Sequence, residues 1–187
     1  MFCMFLRKHL TSAMIMDVEQ TELERIVSIS LEAKDELGLP RKMTLVAELM
    51  GKYSNVMLMN ENGIIMDSMR HITEVQSRVR SVLPGLAYRP PQSDKLNPMT
   101  ASREAIAAAL SQRGAKAMRG WLPKVLQGVS KQTADELLYR VPQEAALSAE
   151  SKAFFDIPPQ PMMYSHAGVP FFFAPFPYES IADDEAQ

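Results

Sequence analysis

The sequence has a single cysteine, only three histidines and no long apolar run. Cys3 is the only cysteine, so no internal disulfide and no cysteine-based metal cluster is possible. No apolar run approaches the roughly 20 residues that a membrane-spanning helix needs. Arg7 and Lys8 follow the apolar residues of the N-terminus, whereas a secretory signal has its cations first. We therefore expect a globular protein of the cytoplasm that does not enter a membrane.

Patterns typical of catalytic sites are also missing from the sequence. The three histidines, His9, His71 and His166, are far apart and lack the spacing of metal ligands. There is no serine nucleophile elbow, and Gly51-Lys52 lacks the preceding glycine loop of a nucleotide-binding P-loop. We expect a protein that is not an enzyme and that holds no metal ion or organic cofactor.

The charges are unevenly distributed, although the formal net charge is only −2. Between Arg70 and Lys131 there are eleven Lys or Arg residues and three acids, whereas the rest of the chain has nine basic and nineteen acidic residues. Clustered cations attract a phosphate backbone, which favours a polyanionic partner. The alternative is a set of solvated helices with ordinary Lys and Arg content, and the charge pattern alone leaves both open.

The first half of the chain has the periodicity of one short helix followed by strands. Residues 2–10 have the apolar spacing of an amphipathic helix. Alternating or continuous apolar patterns then predict five strands, at residues 13–19, 25–31, 43–50, 56–59 and 64–69. The sequence from Asn60 to Gly63 is typical of a tight turn, because Asn and Gly tolerate positive φ. We predict an antiparallel meander.

The second half has a different composition. Prolines at positions 84, 90, 91 and 98 predict a linker, and three or four helices should fill residues 102–154. Residues 161–173 predict a β-hairpin around His166-Ala167-Gly168, and an acidic tail follows. If this hairpin completes the first sheet, the helices are an insertion into a β domain.

Six segments occur in a fixed order that is more specific than any one of them. They are FCMFLRKHL (Phe2 to Leu10), LERI (Leu23 to Ile26), AELMGKYSN (Ala47 to Asn55), LPG (Leu83 to Gly85), YRPP (Tyr88 to Pro91) and LQGVSKQTADEL (Leu126 to Leu137). The ordered set resembles the NFACT-N domain of the RqcH/NEMF proteins of ribosome-associated quality control, which in bacteria were long called fibronectin-binding proteins. In such proteins the FCM-type residues lie well inside the domain, so the resemblance implies that this chain is a fragment.

The resemblance also implies a fold. It is an α+β fold, in which an antiparallel sheet domain related to the N-terminal domain of formamidopyrimidine-DNA glycosylases contains a helix-hairpin-helix module. For this chain we expect residues 1–98 and 156–187 to form the partial β domain. Residues 99–155 would form the inserted helical module.

The resemblance places a tRNA-contacting surface at two of the quoted segments. It implies that Glu24 and Arg25 engage tRNA and that Glu48, Leu49 and Met50 belong to the same surface. This chain has Glu24 where many relatives have Asp, and Leu49 where many have Ile. An arginine at such a position can bind a phosphate or stack on an unpaired base, with the acid fixing its guanidinium. The alternative is a surface ion pair worth roughly 0 to 1 kcal/mol.

Three further groups of residues are candidates for phosphate contacts. Arg7 and Lys8 lie on the first predicted helix, and Arg70 begins a cationic group that continues through His71, Arg78 and Arg80. Gly128 and Ser130 lie in the segment that resembles the hairpin of a helix-hairpin-helix unit, where backbone amides can bind phosphate without reading bases. The alternatives are solvated helix faces and a hairpin that serves only packing.

The leading functional hypothesis is an RNA-binding segment of a ribosome quality-control factor. The resemblance implies that its partners are the rRNA of an obstructed large ribosomal subunit and tRNA, with alanine tRNA as the expected one, and that it supports alanine tailing of stalled nascent chains. The sequence itself does not identify the tRNA. A fibronectin-binding adhesin is one alternative. A glycosylase-like DNA-binding protein is another, although the N-terminal proline and acid of such enzymes are not present.

Overall fold

A computed structural model describes residues 1–34, 37–77, 80–111, 118–141 and 144–181. The chain divides into two compact units, Met1–Ser93 and Asp94–Gln187, and each has a hydrophobic core of its own. Within the described ranges, no helix is both long enough and apolar enough to cross a membrane.

The first unit is one helix and a five-stranded antiparallel sheet, as the periodicity predicts. The strands follow one another in the sheet in chain order, each antiparallel to the next. The elements are α1 (Phe2–Leu10), β1 (Met14–Gln20), β2 (Ile26–Lys34), β3 (Pro40–Glu48), β4 (Asn55–Asn60) and β5 (Ile65–Ser68). The predicted turn is confirmed, because Asn60 Oδ1 accepts hydrogen bonds from the N–H groups of Asn62 and Ile64 at 3.0 Å each, and Gly63 has φ +71°.

β2 and β3 form the longest pairing in the sheet. Their register is unbroken over nine residue pairs, from Ile26 opposite Glu48 to Lys34 opposite Pro40. β3 begins three residues before the predicted start, because a proline is tolerated at the first residue of a strand. It ends at Glu48, two residues before the predicted end, because a short 3-10 helix at Gly51–Tyr53 turns the chain.

Both faces of the sheet are covered along its central strands. Side chains alternate between the two faces along each strand, so neighbouring residues pack against different parts of the unit. On one face Val46 pairs with Met57, and both are buried. On the other face Leu58 and Met43 pack against apolar side chains of α1, including Leu6. The predicted amphipathic helix is therefore confirmed, since it forms and packs against this face.

β1 is an edge strand, and its seven residues are all exposed. The apolar side chains of Met14, Ile15, Met16 and Val18 are each more than half exposed. The pairing with β2 is interrupted by a bulge at Met16. Exposed edge strands with apolar side chains favour pairing with further strands.

The second unit is built from helices and a hairpin. Its elements are α2 (Arg103–Ser111), α3 (Met118–Val125), α4 (Lys131–Arg140), α5 (Glu144–Phe155), β6 (Met162–His166) and β7 (Val169–Ala174). The predicted hairpin is confirmed, and its turn residues Ala167 and Gly168 have φ of +50° and +77°. The acidic residues after Ile181 lie outside the described residues.

We expected the hairpin to belong to the first β domain, but it does not pair with the first sheet. β6 and β7 pair with each other in a separate two-stranded sheet. Tyr164, Phe176 and Tyr178 are buried in the same core as Leu122 and Leu137 of the helices. Large aromatic side chains gain most from a deep apolar core, and the helices provide one next to the hairpin. The helical module at residues 99–155 as an insert between residues 1–98 and 156–187 is thus not confirmed.

A buried carboxylate attaches the segment after β7 to α4. Glu136 is fully buried and accepts hydrogen bonds from the N–H groups of Glu179 and Ser180 at 2.8 Å each and from Arg140 Nε at 2.6 Å. Burial acts to raise the pKa of Glu136, but the hydrogen bonds from Ser180, Arg140 and Glu179 together lower it below its ordinary value.

Replacing Glu136 should change how stability depends on pH. Because its pKa is lowered in the folded chain, its contribution is present above about pH 4.5, the ordinary value, and is lost as the pH falls below it. In Glu136→Gln, urea denaturation should show lower stability at pH 7 and a weaker loss of stability towards pH 3. The exposed Glu150→Gln is the control and should follow the wild type. Equal acid sensitivity of wild type and Glu136→Gln would contradict this assignment.

Candidate functional site

The two segments to which the resemblance assigns tRNA contact meet at one end of the sheet. The N–H of Leu49 donates to the carbonyl of Arg25 at 2.8 Å, directly beside the terminal pair of Ile26 and Glu48. The turn before β2 and the exit from β3 are therefore held side by side. Arg25 and Leu49, separated by 24 positions in the chain, lie next to each other because β2 and β3 are antiparallel.

The connection from β3 to β4 is closed by local hydrogen bonds. Gly51 has φ +58°, a value that favours glycine, and it begins the 3-10 helix. Ser54 Oγ accepts the N–H of Met50 at 2.9 Å, and the N–H of Ser54 donates to the carbonyl of Gly51 at 3.0 Å. These contacts present Lys52 and Tyr53 to solvent at the end of the sheet.

Asn55 fixes the backbone of Arg70 beside this connection. Asn55 Oδ1 accepts the N–H of Arg70 at 2.9 Å, and Nδ2 donates to the Arg70 carbonyl at 2.8 Å. The guanidinium of Arg70 donates to the carbonyl of Lys52. The ammonium of Lys52 lies 4.9 Å from the centre of the Tyr53 ring. Arg70 thus projects from a backbone position that a buried side chain determines.

We call this region the strand-end surface and define it by five exposed residues, Arg25, Leu49, Lys52, Tyr53 and Arg70. It combines three cations with an exposed aliphatic and an exposed aromatic side chain. Leu49 is 53% exposed and Tyr53 is 66% exposed. Cations beside an exposed ring are the combination that binds unpaired nucleotides through phosphate contacts and base stacking.

Glu48 lies under the strand-end surface and not on it. Its carboxylate is fully buried and forms an ion pair with the guanidinium of Arg80, and it accepts the hydroxyl of Tyr88 at 3.0 Å. Arg80 also donates to the carbonyl of Arg89 at 2.8 Å. Burial and the neighbouring Glu48 carboxylate raise the pKa of the Tyr88 phenol. In this structure Glu48 attaches the segment that carries Arg80 and Tyr88 to the end of β3.

Two other members of the predicted cationic group, His71 and Arg80, already have acidic partners. Arg80 is committed to Glu48, and His71 Nε2 lies 2.8 Å from Asp67 Oδ1. Arg78 lies outside the described residues. Arg70 is therefore the member of that group that belongs to the strand-end surface.

Glu24 does not hold the guanidinium of Arg25. The five ion pairs among the described residues include neither side chain. Within the same residues, Glu24 Oε1 is shielded from solvent and has no hydrogen-bond partner, whereas Arg25 is exposed. Met50 is half-buried against the core of the sheet. Arg25 and Leu49 thus present their side chains outward, and Glu24 and Met50 do so much less.

The remaining predicted residues lie elsewhere. Arg7 and Lys8 are exposed on α1. Gly128 and Ser130 are in the second unit, between α3 and α4, where Gly128 has φ +72° and Ser130 Oγ caps α4 by accepting the N–H of Thr133 at 3.1 Å. In this part of the chain the local structure is that of a hairpin between two helices, as the sequence indicates.

Sequence reasoning missed Lys52 and Tyr53 as site residues, and it missed the role of Arg80 and Tyr88. Lys52 and Tyr53 stand inside a quoted segment, and their position directly after a turn glycine is the available signal for exposure. No local signal connects Glu48 to Arg80, because the two are 32 positions apart. In the described part of the chain, no group of three His, Cys, Asp or Glu side chains is placed to hold a metal ion.

Comparison with known proteins agrees with the quoted segments. The model of the NFACT N-terminal and middle domains matches residues 1–165. The chain belongs to the NFACT family. The resemblance inferred from the six segments is therefore confirmed.

Two curated NFACT relatives are named as Rqc2 homologues. This NFACT chain is 35% identical over 178 residues to "Rqc2 homolog RqcH" of Streptococcus suis, covering 93% of the chain and 32% of the relative. It is 37% identical over 113 residues to the protein of the same name from Bacillus subtilis, covering 59% of the chain and 20% of the relative. The chain thus spans a third or less of the length of these relatives.

Solved structures of NFACT relatives have the same fold. The N-terminal part of the fibronectin/fibrinogen-binding protein of Streptococcus suis aligns with TM-score 0.76 and 32% identity, over 98% of this chain and 66% of that one. The fibrinogen binding protein of Staphylococcus aureus aligns with TM-score 0.80 and 28% identity, over 98% and 69% of the two chains.

Removing the cation beside the buried Glu48 should strongly destabilise the first unit. Arg80→Met leaves a buried carboxylate without its partner, a change that costs about 3–5 kcal/mol in the free energy of unfolding. The double variant Glu48→Met/Arg80→Met removes both charges and should recover most of that loss. The exposed Arg89→Met is the control. Chemical denaturation measures all three, and a double variant no more stable than Arg80→Met would refute the pairing.

Proposed function

We propose that this chain is an RNA-binding segment of a ribosome-associated quality control factor. It would hold tRNA, in particular alanine tRNA, on the rRNA of an obstructed large ribosomal subunit in the cytoplasm while the stalled nascent chain receives an alanine tail. The observation that carries the proposal is the strand-end surface, which joins the two family segments into one exposed group of cations beside an aromatic ring. Relationship to Rqc2 homologues supports the cellular role.

The proposed role requires that the chain bind and position tRNA, and it requires no catalytic side chain. Arg25 has no carboxylate partner among the described residues, so its guanidinium can bind a phosphate oxygen without first breaking an ion pair. Arg70 projects from a backbone held by Asn55, which reduces the entropy lost on binding. Peptide transfer would be left to the ribosome, and this segment is therefore proposed to be non-catalytic.

The exposed apolar members of the surface complement these cations. Tyr53 can stack on an unpaired base, and such stacking contributes about 1–3 kcal/mol per base. Leu49, exposed beside Arg25, offers an apolar contact to the same nucleotide. The anticodon and acceptor ends of a tRNA contain unpaired bases, whereas an RNA duplex does not, so this combination favours a tRNA over duplex RNA.

Charge reversal on this surface should weaken tRNA binding. In Glu24→Gln/Arg25→Glu the affinity for alanine tRNA should fall by about tenfold or more, because a phosphate contact becomes a repulsion. Fluorescence anisotropy with labelled tRNA measures the affinity, and the dependence of log K on log salt should become less steep by about one phosphate contact. Retention of tRNA on purified large subunits is the second readout.

The matched control for this experiment is Arg103→Glu. Arg103 is exposed in the first turn of α2, in the other unit, and an acid is tolerated at a helix N-terminus. The control makes the same arginine-to-glutamate reversal, with a net-charge change of −2 against −1 in the double variant, and should leave tRNA affinity within about twofold of the wild type. An equal loss in both variants would show that the effect is not specific to the strand-end surface, and unchanged tRNA recovery in the Arg25 variant would remove the proposal.

Binding to fibronectin is a second candidate, because a solved relative is named a fibronectin/fibrinogen-binding protein. The exposed edge strand β1 offers a place where an extended peptide could add to the sheet. If this candidate is right, immobilised fibronectin should retain the chain and Val18→Pro, which blocks strand addition, should abolish retention. Retention that Val18→Pro leaves unchanged would reject addition at β1, and absence of retention by the wild type would reject the function.

A further inference from the structure

Asn55 is a buried polar residue at the start of β4, where it pairs with Glu48 of β3. It is 1% exposed. Its Oδ1 accepts the N–H groups of Val56 at 3.0 Å and of Arg70 at 2.9 Å, and its Nδ2 donates to the carbonyl of Arg70 at 2.8 Å. Burying an amide is costly unless its donor and acceptor atoms are bonded. Both backbone groups of one exposed cation therefore help to satisfy this buried side chain.

Ser68 adds a further contact to the backbone of Arg70. Ser68 is the last residue of β5 and is 3% exposed, and its Oγ donates to the Arg70 carbonyl at 3.1 Å. The N–H of Met69 donates to the carbonyl of Val56 at 2.8 Å, so the pairing of β4 with β5 continues to the residue before Arg70. Two buried side chains from two strands thus hold the point at which Arg70 leaves the sheet. A residue held in this way loses less conformational entropy when its side chain binds a ligand.

The side chain of Arg70 connects this point to the turn between β3 and β4. Its guanidinium donates to the carbonyl of Lys52. A guanidinium has five N–H donors, so one bond to a carbonyl leaves donors for a phosphate, and Arg70 is exposed. The residue after Lys52 is Tyr53, the exposed ring of the strand-end surface. Asn55 therefore influences a cation of this surface directly and its aromatic ring through that cation.

Local closure of the backbone does not account for these contacts. Asn side chains often bind backbone groups a few residues away, as Asn60 does when its Oδ1 accepts the N–H groups of Asn62 and Ile64. Asn55 differs, because its bonds to Arg70 span 15 positions of the chain. They end at a cation of the strand-end surface and hold both of its backbone polar groups. This arrangement favours a role in placing that cation.

We propose that Asn55 is a positioning residue for tRNA binding at the strand-end surface. The inference rests on the proposed function, and it assigns to Asn55 no contact with tRNA. The amide of Asn55 sets the direction in which Arg70 leaves the sheet. Arg70 then contacts a phosphate and holds the carbonyl that precedes Tyr53. The effect of Asn55 on binding therefore passes entirely through Arg70.

A double-mutant cycle on the whole chain tests this role. Fluorescence anisotropy would give the affinity for labelled alanine tRNA of the wild type, Asn55→Ala, Arg70→Gln and the double variant. We expect Arg70→Gln to weaken binding about tenfold through loss of a charge-assisted contact, and Asn55→Ala about fivefold through loss of preorganisation. Independent losses would multiply to about fiftyfold, whereas the double variant should bind within about twofold of Arg70→Gln.

The salt dependence of binding is a readout that a merely structural role would not change. Arg70→Gln should make the dependence of log K on log salt less steep by about one phosphate contact. Asn55→Ala removes no charge, yet it should change the steepness in the same direction, because Arg70 no longer keeps its contact. A variant that only lost stability would retain the wild-type steepness while it is folded.

Met59→Ala is the matched control for lost stability. Met59 is 8% exposed in the core of the same sheet, and its truncation destabilises the sheet by leaving a cavity. Chemical denaturation would establish that every variant is folded under the binding conditions. The control should bind within about twofold of the wild type with unchanged salt dependence.

Ser68→Ala is a second test variant in case Asn55→Ala does not fold. It removes the hydroxyl contact to the Arg70 carbonyl and leaves the amide of Asn55 in place. We expect it to weaken tRNA binding about threefold, as for the loss of one neutral hydrogen bond. In the Arg70→Gln background the same substitution should cause no further loss.

The outcomes distinguish this inference from the proposed function. Equal losses from Asn55→Ala in the wild-type and Arg70→Gln backgrounds would overturn the inference, because Asn55 would then act independently of Arg70. Unchanged affinity in Asn55→Ala or in Arg70→Gln would also overturn it. The proposed function survives these results if charge reversal at Arg25 still weakens tRNA binding. Absence of tRNA binding by the wild type would remove both.

Discussion

A carboxylate with no access to water sits at the end of β3, and much of the first unit is arranged to compensate it. An unpaired buried charge is costly, so Glu48 requires the guanidinium of Arg80 and the hydroxyl of Tyr88. These contacts hold the segment that contains Arg80 and Tyr88, 32 and 40 positions after Glu48, against the end of β3. The exposed residues Arg25 and Leu49 lie directly beside the pair of Ile26 and Glu48, so the contacts of Glu48 also hold their backbone in place. The family segment around Glu48 therefore has two functions, since one of its residues supports the neighbour that faces solvent.

Local patterns predict most of the first unit. Alternating apolar residues indicate the strands, and Asn60 with Gly63 indicates the turn, because both signals arise within a few residues. The segments that identify the family also include Arg25, a member of the candidate strand-end surface. The boundaries of β3 and the partner of Glu48 are not predictable in the same way. They depend on a turn at Gly51 and on an ion pair across 32 positions, and no short stretch of sequence records which distant side chain fills a buried position.

The second unit shows the same division between local and distant information. The strands of the hairpin and the caps of the helices follow from nearby residues, such as Ser130 before α4 and Gly168 in the turn. Nearby residues do not determine the core against which the hairpin packs. Tyr164 and Phe176 have the composition of core residues for either unit, and only the packing against the helices decides that they join the second. Prediction from sequence therefore gives the elements of this unit correctly and assigns its last two strands to the wrong sheet.

The unbroken pairing of β2 with β3 fixes the distance between the two ends of these strands. Nine paired residues without a bulge make a stiff spacer whose length is set by residue number alone. Adding two residues to each strand would move Lys34 away from Arg25 by about 7 Å and would leave every side chain on its original face. The distance between the two ends of the sheet can therefore change only in steps of two residues if every side chain is to keep its face.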